Sequence, residues 1–150
     1  MRITLDTTVI VKALVKPRRL KDDKILKEQT RLHELAFSIL SSVQEGKTQM
    51  CIPSIAIVET ASVVSRLTGS DKLGKEAADF VTGLAHSIVY DVEMLDDSVE
   101  IAVNTKASGF DVVFIACSRL TNSTLITDDI GMHRAALSAG ISSKLLREMK

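Results

Sequence analysis

Five carboxylates stand out along this chain, four of them where its pattern passes between strand-like and helix-like runs. Asp6 closes the run RITL, Asp128 and Asp129 follow TLIT, and Asp111 comes just before the apolar stretch VVFIA. Glu59 is the only charged side chain between Pro53 and Arg66. An acid on so apolar a helix is desolvated, which is costly unless a partner or a cation offsets its charge. Taken singly, each acid has a plainer role. Asp6 and Asp111 suit helix N-caps, Glu59 suits a salt bridge, and Asp128 and Asp129 suit a solvated turn. Brought together at one sheet edge, they would repel one another unless divalent cations held them. Carboxylate oxygens are hard ligands and match magnesium or manganese. Such ions serve phosphoryl chemistry by activating water and neutralising the oxygens of an in-line displacement.

The elements that must position these acids alternate along the chain. Residues 2–6 predict a strand, followed by a short helix from Thr7 to about Val15 that Pro17 stops. Residues 22–45 predict a long amphipathic helix carrying Ile25, Leu32, Leu35, Ile39 and Val43. Met50-Cys51-Ile52 is a short strand ending at Pro53. Ser54 is a candidate cap for the next helix, and Ser70 or Asp71 for one running to about His86. Ser87–Val92 predicts a strand, 95–107 a helix, and Asp111 opens another helix. Thr124–Thr127 is a strand and 131–139 a short helix. Ile141 is placed in a last strand before a terminal helix. Strands separated by helical crossovers imply a parallel sheet covered on both faces, an α/β three-layer sandwich. In such sheets ligands bind beyond the carboxyl ends of the strands, where these acids stand.

The bulk numbers fit one domain over residues 1–150. Of the 150 residues, 45% are hydrophobic and 25% charged, the balance of an ordinary globular chain. Neither a membrane-spanning run nor a signal-peptide pattern is visible, so a cytoplasmic location is expected. Net charge is zero, with 19 basic and 19 acidic residues, which argues against coating nucleic acid by bulk charge. Aromatics at 3% disfavour a base-stacking platform. Cys51 and Cys117 sit among apolar neighbours and predict buried thiols. The three histidines lack metal-ligand spacing. No phosphate-cradling glycine motif is present.

The stretches LDTTVIVKAL, IPSIAIVETASVV, GFDVVFIACSRL and LITDDIGMHRAA resemble, in order, the four acidic motifs of PIN-domain ribonucleases. The resemblance runs from Arg2 to about Ala139. It implies a PIN-like fold and hydrolysis of RNA phosphodiester bonds with Mg2+ or Mn2+, by water attack without a covalent intermediate. Asp6, Glu59, Asp111 and Asp129 match the family's catalytic and metal-binding acids, Asp6 and Asp111 as principal ligands. Asp128 matches a variable position that adds charge or a further metal contact. Thr7 and Thr8 match the small hydroxyl residues after the first aspartate, and Thr127 the threonine of the fourth motif. Thr8 and Thr127 are expected near the substrate. The stand-alone chain favours a VapC-like toxin type, with an antitoxin covering the acidic site and a homodimer as the assembly.

Two features depart from the family pattern. The charged segment 16–48 is longer than in compact toxin members, and could serve as a lid, a dimer surface or an RNA contact. No cysteine ribbon follows the domain. Within KPRRLK, Lys16, Arg18, Arg19 and Lys21 form either a phosphate-contacting rim or a solvated loop. A haloacid-dehalogenase-like phosphatase wants a second acid where Thr8 stands. The remaining alternatives are a catalytically silent PIN-like module that binds RNA or protein, and an RNA-processing nuclease outside a toxin system.

Overall fold

The computed structural model describes residues 1–18 and 21–150. Its strands are β1 (Arg2–Leu5), β2 (Gln49–Pro53), β3 (Ser87–Val89), β4 (Thr124–Thr127) and β5 (Ser143–Leu145). They pair in parallel in the order β3-β2-β1-β4-β5. A parallel sheet is covered on both faces, so its strands are apolar at consecutive positions rather than alternate ones. Met50, Cys51 and Ile52 are accordingly all buried, as are Leu125 and Ile126.

The helices among the described residues are α1 (Thr7–Leu14), α2 (Asp23–Gln44), α3 (Ser54–Thr68), α4 (Asp71–Leu84), α5 (Leu95–Thr105), α6 (Gly109–Thr121) and α7 (Ile130–Ser138). They sort into two packed sets, α1 to α4 and α5 to α7. Right-handed crossovers place these sets on opposite faces of the sheet. α6 is the most apolar of them in its centre: Phe114, Ile115, Ala116 and Cys117 are all buried. α2 buries only a stripe, Leu32, Ala36, Leu40 and Val43, while Ile25 in its first turn stays exposed.

The chain builds β1, β2 and β3 outward in one direction, then crosses to β4 and β5 on the other side of β1. The order reverses between β1 and β4, and connections leaving those two strands diverge. That divergence opens a crevice at their carboxyl ends.

Several boundaries differ from the sequence expectation. The strand from Ser87 stops at Val89, and Asp91–Met94 forms a 3-10 turn. The Glu93 carboxylate accepts from the Tyr90 amide at 2.7 Å and fixes that turn. Ser54 lies inside α3 and makes no cap, while Ser70 rather than Asp71 caps α4 by accepting from the Leu73 amide. Ile141 precedes β5 instead of joining it, and only a 3-10 turn, Leu146–Glu148, follows. So few residues cannot meet the cost of nucleating a helix. That turn is held by Arg31, whose guanidinium donates to the carbonyls of Arg147 and Met149.

Candidate active site

Asp6 is the residue between β1 and α1, and it is buried. It occupies the N-cap position, yet its side chain accepts nothing from the helix amides. The Thr8 hydroxyl instead donates to Asp6 Oδ2 at 2.6 Å and the Thr127 hydroxyl to the same oxygen at 2.8 Å. Thr127 Oγ1 also accepts from the Asp129 amide at 3.0 Å. The wholly buried Thr127 therefore ties the end of β1 to the turn after β4 and has no surface for a substrate.

Glu59 sits mid-way along α3 and finds no Lys or Arg partner among the described residues. Its Oε2 accepts from the Thr7 hydroxyl at 2.5 Å, which leaves the charge itself uncompensated. α6 is capped by Ser108, not by Asp111. Asp111 stands one turn in, where burial pushes its carboxyl above the ordinary value of 3.8. The Ser108 hydrogen bond opposes that shift, and the neighbouring Asp129 and Asp6 charges add to it. Asp129 caps α7, with Oδ1 accepting from the Met132 amide at 2.8 Å. A Cβ at Gly131 would come within 3.1 Å of that oxygen, so the absent side chain leaves room for it.

These four acids, from four separate segments, line one cavity of about 950 Å³. α1 and α3 form its walls, with Val11, Val15, Val63 and Leu67 supplying apolar surface. Lys16 lies just past α1 and Arg66 near the far end of α3, so cations lie toward one end and carboxylates toward the other. Phe110 and Val58, each one residue before an acid, are exposed at the same cavity.

The remaining expected residues divide. Thr8 is exposed at the cavity, and Arg18 lines it while donating to the Leu67 carbonyl. Arg19 lies outside the described residues. Asp128 is not brought to the other acids. Its carboxylate pairs with Arg147 at 2.9 Å and with Lys12 at 3.6 Å, and its side chain is only 8% exposed. Lys12 went unnoticed in the sequence, although it lines the cavity one turn after Thr8 on α1. Its signal was the four-residue spacing, which puts both on one helix face.

Among the described residues, no group of three or more His, Cys, Asp or Glu side chains is drawn together closely enough to hold a metal ion. The donor set nevertheless fits a hard, hydrated cation, which keeps several waters and takes one or two carboxylates. All candidate donors are carboxylate or hydroxyl oxygens, and Asp111 is penalised by burial and by two like charges that a cation would offset.

The layered parallel sheet with acids at its switch point defines an α/β fold of a recognised kind. The family model described as the PIN domain matches residues 3–137, and the chain belongs to that family. Solved structures share the fold at low identity. VapBC-1 from nontypeable Haemophilus influenzae has 12% identity and a TM-score of 0.65, with 99% of this chain and 100% of that chain covered. FitAcB from Neisseria gonorrhoeae has 16% identity and a TM-score of 0.64, covering 98% and 99%. VapBC2 from Rickettsia felis, bound to a DNA fragment from their promoter, has 16% identity and a TM-score of 0.62, covering 97% and 98%. No curated protein matches the chain.

Proposed function

We propose that the chain is a Mg2+- or Mn2+-dependent endoribonuclease and the toxin of a toxin–antitoxin pair. Membership in the PIN domain family supports a nuclease, hence a hydrolase. The observation that carries the reading is the convergence of Asp6, Glu59, Asp111 and Asp129, from four segments, on one cavity at the switch point of the sheet. Asp6, Asp111 and Asp129 would hold the cation, with Glu59 completing the set or orienting water. A bound ion would lower the pKa of its water and neutralise the oxygens of the scissile phosphate. Thr8 and Thr127 fix Asp6 through one oxygen, Oδ2, and hold the ligand in place. Thr7 does the same for Glu59. Lys16, Arg18 and Arg66 offset the repulsion between the acids and an RNA backbone. The VapBC and FitAB neighbours support the toxin type, and the apolar length of the cavity offers an antitoxin segment a seat.

A homodimer belongs to the same reading. Leu95, Val99 and Val103 recur every four residues along α5 and are all exposed, as are Tyr90 and Val92 just before the helix. Such a row of apolar side chains marks an association surface.

The decisive assay incubates labelled single-stranded and structured RNAs with the protein in Mg2+, Mn2+ or EDTA, beside Asp6→Asn. Cleavage that requires metal and falls at least about 100-fold in Asp6→Asn is expected, the loss typical of removing one electrostatic catalytic group. Metal binding without turnover on any RNA would favour the silent binding module.

A further inference from the structure

A second, smaller cavity of about 420 Å³ adjoins the acidic site and shares Asp111 with it. Its walls come from the end of α5, the start of α6 and one face of α7, where Gly131, Arg134, Ala135 and Ser138 follow helical spacing. Arg134 is the one cation among the described residues that line this cavity. It is exposed, and among the described residues it has no acidic partner within salt-bridge range. Ser138, one turn further on, is exposed at the same cavity. Arg134 shares its lack of an acidic partner with Lys16 and Arg66 of the larger cavity, whereas Lys12 is paired with Asp128 and Arg18 donates to a carbonyl.

We propose that this cavity is a phosphate subsite, in which Arg134 and Ser138 take the backbone phosphate next to the scissile one. The inference rests on the ribonuclease reading of the adjoining acids. A strand crossing four carboxylates meets repulsion on both sides of the cut, and the cations of the large cavity answer it on one side only. Arg134 answers it on the other side of Asp111. A guanidinium presents paired donors that match two phosphate oxygens, with a hydroxyl beside it for a third. Phosphate contacts of this kind set register without reading sequence, so the subsite positions the strand and leaves base preference to other groups.

The test uses a fluorescein-labelled single-stranded RNA 12-mer of mixed sequence. Affinity is measured by anisotropy across a salt series in the Asp6→Asn protein, where cleavage does not interfere. Cleavage is measured in the protein with Asp6 intact. Arg134→Ala is expected to weaken binding about tenfold and to lower the slope of log affinity against log salt by about 0.7, the value for one phosphate contact on a single strand. KM should rise with kcat little changed, and Arg134→Lys should restore most of the affinity and the full slope. A merely structural role for Arg134 would leave the salt slope unmoved. If the parent protein binds and cleaves the 12-mer but Arg134→Ala matches it in affinity and slope, the subsite is wrong and the nuclease reading stands. If the parent protein neither binds nor cleaves any RNA, both fall together.

Discussion

At the residue scale, the positions of the acids were legible because Asp6, Asp111, Asp128 and Asp129 stand at or near strand and helix ends and Glu59 alone breaks the apolar run of α3. What each carboxylate does was not. Asp128 and Asp129 are neighbours of the same chemistry. They part because Lys12 and Arg147, remote in the chain, claim the first, while the start of α7 orients the second. Thr127 was expected near substrate, and its burial between Asp6 and Asp129 depends on β1 and β4 lying side by side. Asp111 gives a measurable consequence. Its folded carboxyl binds a proton more tightly than an ordinary aspartate, so its own contribution to metal-free stability falls as pH rises from about 3.8 through the raised value. At pH 7 the full cost is present. Thermal melts in EDTA should show Asp111→Asn more stable than the parent at pH 7 and nearly equal to it at pH 4. Mg2+ should then stabilise the parent more than the variant. Equal melting temperatures at both pH values would contradict this.

At the element scale, β1, β2 and β4 were readable as compact apolar runs, and α2 as a 22-residue amphipathic pattern. Short elements were not. β3 has three residues, and whether Tyr90 and Asp91 continue it depends on the Glu93 side chain folding back onto the backbone. The end of the chain read as helical, yet Arg31 on α2 gathers its carbonyls into one tight turn. α3 must be held firmly because it carries Glu59, and α4 packs on it through Gly74. A Cβ there would lie 2.6 Å from the Ala61 carbonyl oxygen and 2.8 Å from the Ser65 Cβ. The backbone cannot yield as a side chain tip would. Gly74→Ala should therefore cost about 1–3 kcal/mol, or about 5 °C in Tm, and lower cleavage by shifting Glu59. A Tm at or above the parent's would show that α4 is free to move away.

At the scale of the whole molecule, a parallel sheet covered on both faces followed from the alternation of elements. The order β3-β2-β1-β4-β5 did not, since local pattern carries no record of which strands become neighbours. That order makes the site, because it places Asp6 and Asp129 on either side of the switch point while α3 and α6 bring in Glu59 and Asp111. The outer surface is a whole-molecule property too. The row of Leu95, Val99 and Val103 is separate from the residues lining the acidic cavity. Val99→Glu should convert a dimer to a monomer in light scattering while leaving the Tm of the monomer close to that of the parent. A monomeric parent would remove the dimer from the account.

If Asp6, Glu59, Asp111 and Asp129 form one divalent-cation site, the purified protein titrated with Mn2+ will show it. Binding can be followed by calorimetry and by the loss of free-ion paramagnetic signal, with Asp6→Asn, Asp129→Asn and Asp128→Asn alongside. Saturable Mn2+ binding is predicted, weakened at least about tenfold by Asp6→Asn and Asp129→Asn, as expected when one of a few charged ligands is neutralised. It should be little altered by Asp128→Asn, whose carboxylate is committed to Lys12 and Arg147. Absence of binding, or binding that Asp6→Asn and Asp129→Asn leave intact, would reduce the four acids to helix caps and hydroxyl partners and would contradict the account.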